Sequence, residues 1–283
     1  MKQNSARSIL AVGLLMSFGT ASAAEFAVAP SIDLSYKSST FDFIFASGSG
    51  TSLIKPSYTT LAPSLGLSLG RFYGLVAYES TINDWNSTSL EVTAPTSNAF
   101  KQQSFERNES SLTFGYRVLD GSGKLGAVNI FAGYLQGVSG WSSTTSRYTT
   151  GTLSFDNLHV DFSEKGPFLG ANYSYPFGNK GTLSLSAAYG MLSGLLKDVE
   201  TTGSSSTNQD LYSKSSGLSM GIAWSGNLTG STNYRLGLKY VNYSFDVNKL
   251  DDKLTGTSVS IPSDTFVIKE KIYSLNFGVI SYF

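Results

Sequence analysis

Apolar side chains fall on every second residue through the last stretch of the chain, where Tyr273, Leu275, Phe277, Val279 and finally Phe283 share one parity. Successive residues of a strand point to opposite faces, so this spacing gathers those five on one side. The other side receives Ser274, Asn276 and Gly278, with Ile280 and Tyr282 near the end. A strand so patterned needs an apolar surrounding on one face and a more polar one on the other.

The same alternation recurs along the chain. Phe26, Val28, Pro30, Ile32, Leu34 and Tyr36 form one apolar face, and Leu61, Pro63, Leu65, Leu67 and Leu69 the next. A third strand opens with Phe72, Val76 and Tyr78, and a fourth carries Leu112, Phe114, Tyr116 and Val118. Val128, Ile130, Ala132 and Tyr134 define the fifth, where Phe131 and Leu135 make the facing ambiguous. The sixth ends in Leu169, Ala171, Tyr173 and Tyr175; upstream, Leu158, Val160 and Phe162 have the opposite parity, which predicts a bulge or break near Gly166-Pro167. Leu183 to Met191 and Leu218 to Trp224 supply the seventh and eighth, Tyr234 to Tyr240 the ninth with a parity shift near Val241, and Thr265 to Phe283 the tenth. Short turns near 70–71, 120–124, 178–181 and 226–231 alternate with longer connections near 37–57, 83–104, 139–157, 198–211 and 248–264.

At the other end, Lys2 and Arg7 precede the apolar run Ile9 to Met16 and then Ala21-Ser22-Ala23-Ala24. A charged start, an apolar stretch too short to span a bilayer and a small-residue cleavage site predict an export signal over residues 1–23. The chain has no cysteine, which excludes disulfides and thiolate chemistry, and 20 basic residues against 20 acidic ones offer no footprint for nucleic acid.

The strand pattern, the turn rhythm and the terminal Phe283 together resemble bacterial outer-membrane β-barrel proteins over the whole of residues 24–283. The resemblance implies an all-β fold: a closed antiparallel up-and-down transmembrane barrel of about ten strands, with twelve as the alternative and both termini periplasmic. It implies residence in the outer membrane among lipid and lipopolysaccharide. It also implies that assembly machinery recognises the last strand, although Ser281 stands at the third position from the end, where the family often has an aromatic. Tyr273, Leu275, Phe277, Val279 and Phe283 are then the lipid-facing residues of that strand.

Inward parity is dominated by Ala, Ser, Gly and Thr, which favours a water-containing lumen or one filled by a loop. Charges at inward parity are Asp33, Glu79, Arg117, Arg235, Lys239 and Glu270. Closure of the sheet is expected to bring Asp33, Glu270, Lys239 and Arg235 together, and Glu79 with Arg117. Such charges suit a polar constriction, and a narrow passive channel for small solutes is the leading expectation. A non-conducting structural or surface-interaction barrel is the alternative, with aromatics such as Phe41, Phe43, Phe45, Trp85, Phe100, Trp141 and Tyr148 available in the loops. A hydrolase, whether protease or acyl hydrolase of lipid A or phospholipid, comes third and would have to use His159, the single histidine. The omptin proteases, ten-stranded barrels, use carboxylates and an Asp-His pair near the rim; His159-Val160-Asp161 and Asp251-Asp252 do not match that pattern, so no catalytic residue is carried over. The expectation is a protein that is not an enzyme, with no cofactor and no metal site. Lys269 and Lys271, at outward parity, are expected above the apolar band, within reach of lipopolysaccharide phosphates.

Overall fold

The computed structural model describes residues 26–45, 52–83, 85–94, 97–120, 126–149, 152–202 and 205–283. The proposed export signal lies outside them. Thirteen strands follow in order: β1 (Phe26–Phe45), β2 (Ser52–Ile54), β3 (Ser57–Leu69), β4 (Phe72–Asn83), β5 (Trp85–Ala94), β6 (Ser97–Asp120), β7 (Ala127–Thr149), β8 (Thr152–Pro176), β9 (Thr182–Thr202), β10 (Ser205–Thr229), β11 (Thr232–Asp252), β12 (Thr257–Ser260) and β13 (Phe266–Ser281).

Ten of these close into one antiparallel ring, in the order β1-β3-β4-β6-β7-β8-β9-β10-β11-β13 and back to β1. Closure removes every strand edge from the ring, which is what a sheet needs where no water can satisfy its backbone. β2, β5 and β12 stand outside the ring and pair only with β1, β6 and β11. Phe41 to Phe45 extend β1 without adding a crossing, so the ring has ten strands and not twelve. The two described ends of the ring meet at one rim, where the Phe283 and Val28 amides and carbonyls exchange hydrogen bonds of 2.9 and 3.0 Å. Gly70 and Gly230 turn the chain tightly at that rim with φ of 57° and 51°, backbone that a side chain would disfavour.

The opposite rim is built differently from the sequence expectation. Most of the long connections are strand. β7 and β8 stay paired up to Thr149 and Thr152, and β9 and β10 up to Thr202 and Ser205. The ring therefore continues as long hairpins well past the band in which its outward residues are apolar.

Two other expectations are corrected. β8 pairs with β7 in unbroken register from Thr152 to Ser174, so there is no bulge at Gly166-Pro167. Leu158, Val160 and Phe162 share the inward parity of Phe168 and Asn172, and their apolar character belongs to an interior core. β11 likewise keeps its parity through Val241, Tyr243, Phe245 and Val247, all buried; its irregularity comes later, opposite Tyr212 and Ser213. On β7 the ambiguity resolves cleanly, with Ile130 and Tyr134 exposed outward and Phe131 and Leu135 buried inward.

Candidate functional site in the lumen

Among the described residues, the lumen is where the strands gather polar and charged side chains away from both lipid and bulk water. All six charged residues expected inward occupy inward register positions, but their partners are mostly others. Arg235 pairs with Asp33 near the turn-side rim. Glu79 accepts from Lys37 at 2.6 Å and from the Thr60 hydroxyl, not from Arg117, which lies far down β6 beside Asn129 in register. Glu270 receives a hydrogen bond of 2.5 Å from Arg107.

Arg107 is the hub. Its guanidinium donates to Glu109 at 2.8 and 3.2 Å, to the Ser139 hydroxyl at 2.9 Å, to Glu270 and to Glu164. One planar fork with five donors can serve three carboxylates only when those carboxylates converge from different directions. Here they come from β6, β8 and β13, so a single side chain ties together strands from opposite parts of the ring. The layer holds four carboxylates (Glu79, Glu109, Glu164, Glu270) against three cations (Lys37, Arg107, Lys239), and one oxygen each of Glu164 and Glu270 has no hydrogen-bond partner. Lys239 makes no ion pair among the described residues. With Lys37, Arg107 and Glu109 it lines a cavity of about 30 Å³, large enough for a water or two.

Toward the hairpin end the inward side chains of several strands turn apolar together. Lys37 gives way to Phe41 on β1, Arg107 to Phe105 on β6, Glu164 to Phe162 and Val160 on β8, and Glu270 to Ile268 and Phe266 on β13. Phe245 and Val247 of β11 are fully buried, and Ile268 is 1% exposed. The rings interlock: Tyr58 on Phe105 at 4.9 Å, Phe162 edge-on to Phe245 at 4.8 Å, and Phe41 bridging Phe105 and Phe162 at 5.9 and 6.5 Å. A void of about 20 Å³ lies among these residues, scarcely room for one water. Phe41 and Trp141, expected in surface loops, thus belong to the interior, Phe41 in the core and Trp141 packed against it. The side chains of Phe43, Phe45, Trp85, Phe100 and Tyr148 lie outside the described residues.

Some of the small inward residues that pointed to a water-filled lumen have another cause. A Cβ on Gly217 would land in the Tyr243 ring, and one on Gly133 would meet the Phe168 ring and the Leu112 carbonyl. Glycine stands at these positions because a neighbouring strand lays an aromatic across it.

His159 and Asp161 point the other way. They sit on the outward parity of β8, with Nε2 of His159 3.5 Å from Oδ1 of Asp161 and both side chains exposed. Among the described residues no group of three His, Cys, Asp or Glu side chains is arranged to hold a metal ion. Tyr273, Leu275 and Phe277 are exposed on the outside of β13, Val279 shares their parity, and the terminal Phe283 is 77% exposed.

No family model and no curated protein matches the chain. Among solved structures, the outer-membrane protease OmpT from Escherichia coli aligns with a TM-score of 0.67 at 14% identity, covering 94% of this chain and 100% of that one. The translocator domain of the autotransporter NalP from Neisseria meningitidis aligns at 0.32 and 14% identity, covering 88% of each chain. The Pseudomonas putida toluene transporter TodX aligns at 0.31 and 10% identity, covering 90% and 89%. At such identities the OmpT likeness is one of fold, and it matches the ten-stranded ring found here.

Proposed function

We propose that this chain, which has the fold of an outer-membrane β-barrel, is a sealed barrel that serves as a structural or surface-interaction element and conducts no solute through its own lumen. The observation that carries this reading is the continuous buried apolar layer from Phe41 through Phe105, Phe162, Phe245 and Ile268, stacked on the charge layer that Arg107 ties together. A passive channel needs a wetted path from end to end, and an apolar constriction this full excludes water. The narrow-channel reading rested on small inward residues, and glycines among them, such as Gly217 and Gly133, lie under aromatic rings.

The long-hairpin rim faces the cell exterior and the turn rim, with both described ends, faces the periplasm, following the outer-membrane arrangement of short periplasmic turns and long external hairpins. Export through the leader at residues 1–23 and recognition of β13 by assembly machinery belong to the same reading. On this reading His159 is not a catalytic base: its ring lies on the outer wall beside Asp161, and Ser142, opposite it in register, is hydrogen-bonded to Ser104 at 2.6 Å. Planar-bilayer recording of the refolded barrel tests the proposal. A silent membrane is expected at all voltages, under conditions where a known porin conducts; discrete openings of constant size would return the channel reading.

A further inference from the structure

The outer wall carries a feature that the sealed lumen does not explain. Between β10, β11, β13 and β1 lies a groove of about 520 Å³, lined on its outward side by Tyr36, Met220, Ile222, Leu238, Tyr273 and Leu275. That volume lies within the roughly 300–1,000 Å³ range that holds one small ligand. The groove exists because Ser38, small and at outward parity, sits in register beside Tyr273, which stacks with Tyr240 at 5.0 Å. One outward step up β13 toward the hairpin end is Lys271, and one further is Lys269. Neither lysine makes an ion pair among the described residues. Thr40 and Asn242 flank Lys271 in register, and Asp42 and Ser244 flank Lys269, so the wall above the groove is polar, with two lysines against one carboxylate, while the wall below is aliphatic.

From this juxtaposition we propose that the β10-β11-β13-β1 face is a specific site for one phosphorylated acyl lipid of the external leaflet, namely lipopolysaccharide. Lys269 and Lys271 hold a lipid A phosphate, and an acyl chain lies in the groove beneath. The order of chemistries down β13 is the order along such a lipid: cation for phosphate, tyrosines at the interface, aliphatic side chains for the chain. A second copy of the barrel fits less well. A two-fold contact would bring the same patch against itself, setting both lysine pairs face to face with no bound anion between them. A convex barrel wall would also leave the concave groove unfilled.

The inference depends on the hairpin rim facing outward, but not on the lumen being closed, so its failure and the failure of the sealed-barrel reading are separable. The test uses the full barrel refolded in lipid-free detergent, with purified lipopolysaccharide or phosphatidylglycerol added and bound lipid counted by native mass spectrometry. Wild type is expected to retain one lipopolysaccharide in preference to phosphatidylglycerol. Lys269→Ala with Lys271→Ala should weaken retention about thirtyfold, from the attraction of an anionic lipid surface for two lysines. Ser38→Trp, which fills the groove and leaves the lysines in place, should weaken it as well, whereas Lys165→Ala on β8 should not. Equal retention of both lipids, retention unaffected by loss of the lysine pair, or concentration-dependent dimers with no bound lipid would each overturn the proposal. Heat-modified gel mobility confirms that each variant is folded, and the lysine pair, exposed on the wall, remains informative if Ser38→Trp fails to close.

Discussion

Arg107 shows how much one side chain can settle inside a barrel. Its three carboxylate partners are almost completely buried, so removing the guanidinium leaves negative charge stranded in a dry interior. Breaking a buried ion pair from one side typically costs about 3–5 kcal/mol, more than the intact pair contributes over an apolar replacement. Arg107→Met is therefore expected to lower the urea midpoint of the barrel in lipid vesicles by several kcal/mol equivalent, read from tryptophan fluorescence. Glu270→Gln, which keeps shape and hydrogen-bonding capacity while removing one of four negative charges, should cost far less. Equal losses in the two variants would mean that the guanidinium does not organise the layer. Arg107 was within reach of sequence reasoning. Counting on by twos from Arg117 arrives at 115, 113, 111, 109 and 107, but the outward residues turn polar above Leu112, and with them ends the apolar alternation that marked the strand. Lys37 and Glu109 were missed for the same reason, and Glu164 because Phe162 beside it reads as lipid-facing.

Strands and hairpins obey the same rule of parity with different partners on each side. The lipid-facing half was legible because lipid demands apolar side chains at every second position, as Leu275 and Phe277 display. The core half was not, since an inward Phe and an outward Phe carry the same letter. Only the unbroken register of β8 against β7 assigns Phe162 to the interior. Close packing across strands gives a direct check. Gly217→Leu would drive a side chain into the Tyr243 ring, and overpacking of this kind costs about 1–3 kcal/mol. The variant should unfold at lower urea than wild type, and adding Tyr243→Ala should not rescue it, because the Asn242 carbonyl still stands 2.4 Å from the added Cβ and a buried ring is lost; a full recovery would place the strain in the ring alone. At the hairpin rim, the β11-β12 hairpin is closed by Asp252, which accepts from the Leu254 and Thr255 amides at 2.9 and 3.3 Å. Hydrogen bonds from Thr255 and Leu254 hold its carboxyl below the ordinary carboxylate range. A depressed folded-state pKa means support that is full above the unfolded value near 4 and is lost as pH falls through the folded one. Cleavage of this hairpin by an acid-stable protease should thus stay slow at pH 5 and accelerate only below about pH 4. Asp252→Ala should be cut quickly at both pH values, and a wild-type hairpin already labile at pH 5 would argue against the cap.

At the scale of the whole barrel, height and closure are linked. The longest strands have 25 residues, which at about 3.3 Å each and a tilt near 40° rise roughly 60 Å, against an apolar band of about 25 Å. More than half of these tallest strands therefore stands clear of the hydrocarbon, whereas β3 and β4, with 13 and 12 residues, barely exceed it. A wall as tall as the longest strands needs an interior of its own to stay upright. The apolar layer supplies that interior, and sealing follows from it. The two layers do not seal equally. A charge layer with a cavity beside it can be wetted and crossed by a small ion, whereas a packed aromatic layer must stay dry. Replacing Phe105, Phe162 and Phe245 together by Ala should accordingly turn a silent barrel into one with brief ion openings. Those openings should favour cations, because the layer below holds four carboxylates against three cations. Each Phe→Ala change costs about 3–5 kcal/mol when buried, so heat-modified gel mobility must first show that the triple variant is closed. A folded triple variant that remains silent would move the seal from the aromatic layer to the Arg107 cluster, and Arg107→Met in that background would then be the change that opens it.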